Sequence, residues 1–166
     1  MVVFDSNFLL LLLDPEVDLP LDPATKRPLS RARERIEHLI ANLSRQRETI
    51  GIPTPVVAEI LVHADQAGPG YLAAIQDSSR FRILTFDLRA AIEVAAMTAA
   101  AYATGDKKAG SQAPWQKVKV DRQIAAIAIT EQATTLYADD QDVVRLVKVA
   151  GMKTVSSWEL PLPPEA

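Results

Sequence analysis

The sequence predicts an α/β fold in which a central parallel sheet of about five strands is covered by helices. Short apolar segments rich in β-branched residues alternate with longer segments of helical periodicity, and this alternation is typical of parallel sheets. The chain has 166 residues, of which 48% are hydrophobic, so it can bury a sizeable core. This length fits one domain better than two, and we expect a single domain over residues 1–166.

Each predicted element is bounded by residues that begin or end regular structure. Thr54 and Pro55 predict a helix start, as an N-cap followed by a proline in the first turn. The segment Gly68-Pro69-Gly70 is expected to end that helical unit, and Gly151 is placed as a C-cap glycine. The strands are predicted at Val2–Phe4, Thr49–Ile52, Phe81–Thr85, Thr135–Tyr137 and Lys153–Ser156. The helices are predicted at Ser30–Arg47, Pro55–Gln66, Leu88–Ala103, Asp121–Gln132 and Asp142–Ala150, with weaker ones near Asn7–Leu13 and Tyr71–Gln76.

Two segments have the composition of surface loops. Residues Asp14 to Leu29 contain four prolines and lack an apolar period, which predicts a surface insertion. Residues Thr104 to Pro114 are small, polar and basic around Lys107 and Lys108, which predicts a flexible basic loop.

Composition excludes several classes of function. The chain has no cysteine, so disulfide frameworks, zinc–thiolate sites and cysteine nucleophiles are excluded, and a reducing cytoplasm is the expected location. No apolar run is long enough to predict a membrane span. A formal net charge of −3 means that any polyanion must be bound by a local patch. Glycine fingerprints of dinucleotide sites and the phosphate-loop lysine motif do not occur.

Acidic residues follow the predicted strands or begin the predicted helices. They are Asp5, Glu59, Asp121, Asp139, Asp140 and Asp142. Because the carboxyl ends of parallel strands share one edge, where ligands of open α/β sheets bind, these acids can converge there. Clustered carboxylates repel one another unless some are protonated or a cation neutralises them. Oxygen ligands favour Mg²⁺ or Mn²⁺, and such ions suit phosphodiester hydrolysis.

Each acid also has an ordinary structural interpretation. Asp5 and Asp121 can be helix N-caps, and the acids from Asp139 to Asp142 can form a solvated turn at a helix start. Glu59 can be an exposed helical glutamate. Their joint placement supports the metal-site hypothesis, whereas each residue alone does not.

Four motifs resemble those of PIN domains. They are Val2-Val-Phe-Asp5-Ser6-Asn7, Thr54-Pro-Val-Val-Ala-Glu59, Lys119-Val-Asp121-Arg-Gln-Ile-Ala-Ala-Ile-Ala and Leu136-Tyr-Ala-Asp-Asp140-Gln-Asp142. The order and context of these motifs match that family over almost the whole chain, apart from the proline-rich insertion. The subgroup that the chain resembles most is that of the VapC-like toxins.

The resemblance implies an α/β/α sandwich and an endoribonuclease that uses Mg²⁺ or Mn²⁺. It assigns catalysis and metal binding to Asp5, Glu59, Asp121 and Asp140. Asp142 becomes an auxiliary metal ligand, and Ser6, Asn7 and Asp139 become supporting residues. It also implies a small antitoxin partner within a type II toxin–antitoxin pair. Homodimers are common in the family, and the sequence leaves the oligomeric state open.

One departure from the family pattern keeps other functions open. Two residues before the fourth acid, PIN domains often have threonine or serine, whereas this chain has Ala138. A catalytically weak or inactive PIN-fold module that binds RNA or protein is therefore the main alternative. A PIN nuclease that acts in RNA processing or on DNA flaps is another.

Basic residues flank Asp121 in the sequence and predict a phosphate-binding patch. They are Lys107, Lys108, Lys117, Lys119 and Arg122. The alternative is an ordinary solvated loop. For Trp115, between them, an anchoring role on the core is favoured over stacking on a base. His63 is expected to be a surface or packing residue, because Mg²⁺ sites rarely use imidazole.

Overall fold

The structure, a computed structural model, describes residues 1–164 and contains alternating strands and helices. The strands are β1 (Val2–Phe4), β2 (Ile50–Pro53), β3 (Phe81–Leu84), β4 (Thr135–Tyr137) and β5 (Lys153–Val155). The helices are α1 (Ser6–Leu13), α2 (Ala32–Arg45), α3 (Thr54–Ala64), α4 (Gly68–Gln76), α5 (Leu88–Ala103), α6 (Trp115–Thr130) and α7 (Gln141–Val149). Short 3-10 helices lie at Asp65–Ala67 and Ser157–Glu159.

The five strands form one parallel sheet in the order β3-β2-β1-β4-β5. The first strand is central: Val2 is in register with Ile50 on one side and with Thr135 on the other. This order places the carboxyl ends of β1, β2 and β4 side by side. The predicted parallel sheet is confirmed.

Helices cover both faces of the sheet and give it three layers. Val2 and Phe4 point to one face, where they pack with Ile36 and Leu39 of α2. Val3 points to the opposite face, in a cluster that includes Ile127 of α6. This alternation of side chains along β1 is what a strand buried on both faces requires.

Helix α6 begins earlier than the sequence predicts. Its first residue is Trp115, directly after Pro114, so Asp121 lies almost two turns inside the helix and does not open it. The lysine-rich segment before Asp121 has the composition of a loop, but Val118 within it is buried and continues the core-facing side of the helix. The expectation that Asp121 is an N-cap is therefore wrong.

Two other predicted boundaries also differ from the structure. Thr54 is the first residue of α3 and not its cap, and its hydroxyl accepts a hydrogen bond from the backbone N–H of Phe86. The segment from Gly68 to Gly70 begins α4, where Pro69 occupies the first turn and a missing N–H costs little. Gly151 has a φ of +80° after α7, as a C-cap glycine requires.

The segment 14–29 contains no helix and no strand, apart from an isolated bridge between Leu21 and Pro28. It is fastened to α2 by Arg33, whose guanidinium donates to the carbonyls of Asp14 and Pro15. Leu29 packs into the core beside α2. Within residues 1–164, no helix combines the length and the apolar character that a membrane crossing needs.

Candidate active site

Asp5 lies at the carboxyl end of the central strand and is buried, with 3% of its surface exposed. Its backbone N–H continues the sheet by donating to the carbonyl of Tyr137 (3.0 Å). Although Asp5 precedes α1, its side chain makes no capping hydrogen bond, so the N-cap alternative does not explain it. Burial raises the pKa of Asp5 to about 7, and repulsion from Glu59 and Asp140 acts in the same direction.

Asp140 follows β4, the strand next to Asp5, and is the N-cap of α7. Its Oδ1 accepts a hydrogen bond from the backbone N–H of Asp142 (2.9 Å). The N-cap interaction is therefore present, but it uses only one of the two carboxylate oxygens of Asp140. The other oxygen, Oδ2, faces the ammonium of Lys117. Asp140 thus caps α7 with one oxygen and contacts Lys117 in the site with the other.

Asp121 reaches the same place from the amino-terminal half of α6. Its side chain is almost completely buried, and its Oδ2 has no hydrogen-bond partner among the described residues. Burial raises the pKa of this carboxyl, and the hydrogen bond from Lys117 lowers it in part. A buried carboxylate oxygen without a partner is costly, so a cation at this position would stabilise the site.

A cavity of about 250 Å³ brings the four predicted catalytic acids together. Asp5, Glu59, Asp121 and Asp140 all line it, and Leu10 and Ile124 form its apolar part. Glu59 is exposed at position six of α3, so it closes the solvent side, whereas Asp5 and Asp121 form the buried side. Convergence at the carboxyl edge, as predicted for an open parallel sheet, accounts for this arrangement.

Three acids form the tightest group of possible metal ligands among the described residues. One oxygen each of Asp121, Asp140 and Asp142 can be chosen so that all lie within 4.8 Å of one another. Asp142 is fixed by the hydroxyl of Ser111, which donates to its Oδ2 (2.5 Å), and by Arg145. These two contacts lower the pKa of Asp142, the Ser111 bond most. Oxygen-only ligands of this kind suit Mg²⁺ or Mn²⁺.

Lys117 is a member of the site that the sequence places only in a loop. It lies one turn before Asp121 on α6, and its Nζ donates to Asp121 Oδ1 (2.8 Å) and to Asp140 Oδ2. Burial opposes its charged form, yet the two carboxylates raise its pKa above the ordinary value. The spacing of four residues between Lys117 and Asp121 is the signal that predicts this pair, once both lie on a helix.

The predicted supporting residues divide between two locations. Ser6 and Asn7 line the acidic cavity with Asp5. Asp139 instead binds Ser157: its Oδ1 accepts from the backbone N–H (2.6 Å) and its Oδ2 from the hydroxyl (2.8 Å). Asp139 therefore joins β4 to the segment after β5, and it does not line the acidic cavity.

Three of the five predicted RNA-binding residues are exposed: Lys107, Lys117 and Lys119. Lys108 is partly buried and donates to the carbonyl of Ala113. Arg122 is only 1% exposed and donates to Thr98 and to the carbonyl of Lys107, so it does not belong to a surface patch.

Three neighbouring residues have structural roles. Trp115 lies between cations, with its ring centroid 5.1 Å from Lys107 Nζ and 5.4 Å from the Arg122 guanidinium, which fits an anchor for the loop. His63 pairs with Asp14 (2.9 Å). Ala138 is fully buried in the core and does not line the acidic cavity.

No protein-family model and no curated protein sequence matches this chain. Solved structures do match it. VapBC2 from Rickettsia felis, bound to a DNA fragment from its promoter, superposes with a TM-score of 0.61 at 15% identity, over 94% of this chain and 98% of that one. DNA-bound VapBC from Salmonella typhimurium gives a TM-score of 0.57 at 17% identity, over 94% and 97%. VapC20 from Mycobacterium tuberculosis, a toxin that cleaves the sarcin-ricin loop, gives 0.55 at 14% identity, over 92% and 96%.

The chain has the PIN fold. Each comparison covers more than nine-tenths of both chains, so the fold extends over nearly the whole chain. Within this PIN fold, the four motif acids meet in one cavity, as the resemblance of the sequence implies.

Proposed function

We propose that this chain is a metal-dependent endoribonuclease that hydrolyses RNA phosphodiester bonds, and that it is the toxin of a type II toxin–antitoxin pair. The observation that carries the proposal is the convergence of Asp5, Glu59, Asp121 and Asp140 in one cavity of a PIN fold. The similar structures, one of which is named as a toxin that cleaves the sarcin-ricin loop, support the substrate class.

The residues of the cavity fit Mg²⁺ or Mn²⁺. Asp121 has a buried oxygen without a partner. One oxygen each of Asp121, Asp140 and Asp142 can be chosen so that all three lie within 4.8 Å of one another. Asp5 lines the same cavity. A bound ion would supply an activated water and stabilise negative charge on the phosphate. Glu59, at the exposed side, is placed to orient a water or a substrate hydroxyl near the reacting phosphate.

Lys117 has two roles in this proposal. Its ammonium balances the charges of Asp121 and Asp140, and a divalent ion would bind the same two carboxylates. Asp121 and Asp140 would hold such an ion, and its charge would replace that of the lysine ammonium, which would then be free of these carboxylates. Its flexible stem and 44% exposure then allow it to donate to a phosphate oxygen of the RNA at the mouth of the cavity.

The biological part of the proposal is a toxin held inactive by a small antitoxin. Two of the similar structures are named as VapBC complexes, which supports a protein partner of this kind. A cytoplasmic location belongs to the same proposal, because the substrate proposed is RNA that is translated or structured there.

RNA cleavage by purified variants tests the enzymatic proposal. Asp121→Asn keeps the volume of the side chain but removes its charge, so we expect Mn²⁺-dependent cleavage of a fluorescent RNA to fall at least about 100-fold. Asp77→Asn, an exposed position at the end of α4, is the matched control and is expected to keep wild-type activity.

Equal cleavage by Asp121→Asn and the wild type would refute the enzymatic proposal. Expression in bacteria tests the toxin proposal separately. The wild-type chain alone is expected to arrest growth and Asp121→Asn to permit it, whereas normal growth with an active purified enzyme points to RNA processing instead.

A further inference from the structure

A second cavity adjoins the acidic one and is larger, at about 420 Å³. It lies between α5, α6 and α7 and is closed at one side by the segment 104–114. Asp121 lines both cavities, and Asp142 lies on the wall of the larger one. The larger cavity is therefore lined by two of the three possible metal ligands.

The lining of this cavity is mainly apolar, and its charged residues are three cations and two carboxylates. Aliphatic side chains from three helices line it: Met97, Ala100, Ala101, Val118, Leu146 and Val149. Lys108 and Arg145 are the cations of this lining that solvent reaches, whereas Arg122 is buried. Such a surface suits a flat apolar group that is attached to phosphates, since the cations would face the phosphates.

Arg122 is the most unusual residue of this wall. It is 1% exposed, and its Nε has no hydrogen-bond partner among residues 1–164. A carbonyl or ring nitrogen of a ligand would satisfy Nε, and nucleobases present both kinds of acceptor.

The segment 104–114 is held in place as a wall by its own hydrogen bonds. Asp106 accepts from the backbone N–H groups of Lys108 (2.9 Å) and Gly110 (2.6 Å). Ser111 connects the same segment to Asp142 of the acidic group (2.5 Å). The wall of the apolar cavity and one possible metal ligand are thus joined directly.

We propose that this cavity binds the base of an unpaired nucleotide that flanks the scissile phosphate, and so selects the RNA sequence or structure that is cleaved. The inference rests on the proposed ribonuclease function. If the scissile phosphate of an RNA strand lies at Asp121, the nucleotides on either side of that phosphate lie close to Asp121 as well. The larger cavity, which Asp121 also lines, offers an apolar surface to one of them. A splayed base gains buried area and a donor from Arg122.

The test fills the cavity without touching the acids. Ala100→Phe places a ring in the cavity, and Ala99→Phe, the neighbouring exposed residue that does not line it, is the matched control. Val149→Trp is a second filling variant from α7; this side chain is 91% exposed, so the fold tolerates its replacement. Binding of fluorescent single-stranded RNA is measured by anisotropy with Ca²⁺, and cleavage is measured with Mn²⁺.

We expect both filling variants to weaken RNA binding about 10-fold, which is within the range for loss of one stacked base, and Ala99→Phe to change it less than about 2-fold. RNAs with one abasic nucleotide at successive positions give the second readout. At one position the wild type is expected to lose about 10-fold in affinity, and Ala100→Phe, which has already lost the contact, is expected to lose less than about 2-fold.

Equal RNA affinity of Ala100→Phe and Ala99→Phe would overturn the inference, and so would equal losses from abasic nucleotides in the wild type and in Ala100→Phe. Either result would leave an apolar side chain of a protein partner as the better occupant. If the ribonuclease proposal is wrong, the wild type will show no Mn²⁺-dependent cleavage. The RNA-binding measurement with Ca²⁺ does not require cleavage, so the two failures can be distinguished.

Discussion

Replacement of Asp5 by asparagine should make the metal-free protein more stable at neutral and alkaline pH. Asp5 is buried, and its pKa in the folded protein is about 7, compared with an ordinary value of 3.8. The unfolded chain therefore ionises this carboxyl first. Folding stability is lost as the pH rises from about 4 to about 7, because unfolding releases a proton across that range.

The size of the effect follows from the two pKa values. A difference of one in pKa corresponds to about 1.4 kcal/mol, so the values of about 7 and 3.8 bound the loss at about 4 kcal/mol above pH 7. Lys117 faces Asp5 and lowers its pKa, whereas Glu59 and Asp140 raise it, and the value of about 7 already includes these charges. Asparagine has no charge to bury, so the folding stability of the variant does not fall in this way as the pH rises.

Urea denaturation in EDTA at pH 4.5 and pH 8 measures the effect. We expect Asp5→Asn to exceed the wild type by about 2–4 kcal/mol at pH 8 and by less than about 1 kcal/mol at pH 4.5. Asp77→Asn controls for the change of net charge. Saturating Mn²⁺ should reduce the difference in unfolding free energy between the variant and the wild type at pH 8, because the ion stabilises the wild type. A variant that is no more stable than the wild type at pH 8 would refute the reasoning.

Three further predictions concern residues around the site and in the sheet. Lys117→Met removes the ammonium that competes for the carboxylates, so calorimetric titration should show Mn²⁺ binding about 10-fold tighter, with Lys119→Met unchanged as the control. Asp139→Asn loses charge-assisted hydrogen bonds and should cost about 1–2 kcal/mol in urea denaturation, while RNA cleavage per folded molecule is retained. Gly51→Ala places a Cβ 2.5 Å from Leu84 Cδ1 and should lower stability by about 1–3 kcal/mol, whereas unchanged stability would show that Leu84 moves freely.

The sheet and the acid cluster could be predicted because both depend on regular periodicity. Alternation of strand and helix fixes the parallel sheet, and parallel strands place the residues that follow them at one edge. Asp5 follows β1 directly and Asp140 lies three residues after the last residue of β4, so their convergence needs only this rule. Glu59 follows by one further step, because α3 begins at the end of β2.

The start of α6 and the partners of the charged residues could not be predicted in the same way. Residues 115–120 lie outside the predicted helix and carry two lysines, yet they form the first turns of α6, a helix that packs against α5 and α7. Lys117 therefore changes from a loop cation to a partner of Asp121. Arg122 and Asp139 are polar residues whose burial depends on distant segments, at Lys107 and Ser157, and local sequence contains no signal of those contacts.

The proposed function requires that the acidic cavity binds a divalent ion, and binding of Mn²⁺ to the purified protein tests this requirement most directly. Titration at pH 7.5, followed by the loss of the free-ion electron paramagnetic resonance signal, should show saturable binding to the wild type and to Asp77→Asn. Affinity at least about 10-fold weaker is expected for Asp121→Asn, which loses the buried charge. Absence of saturable binding to the wild type, or equal affinity in Asp121→Asn, would contradict the account.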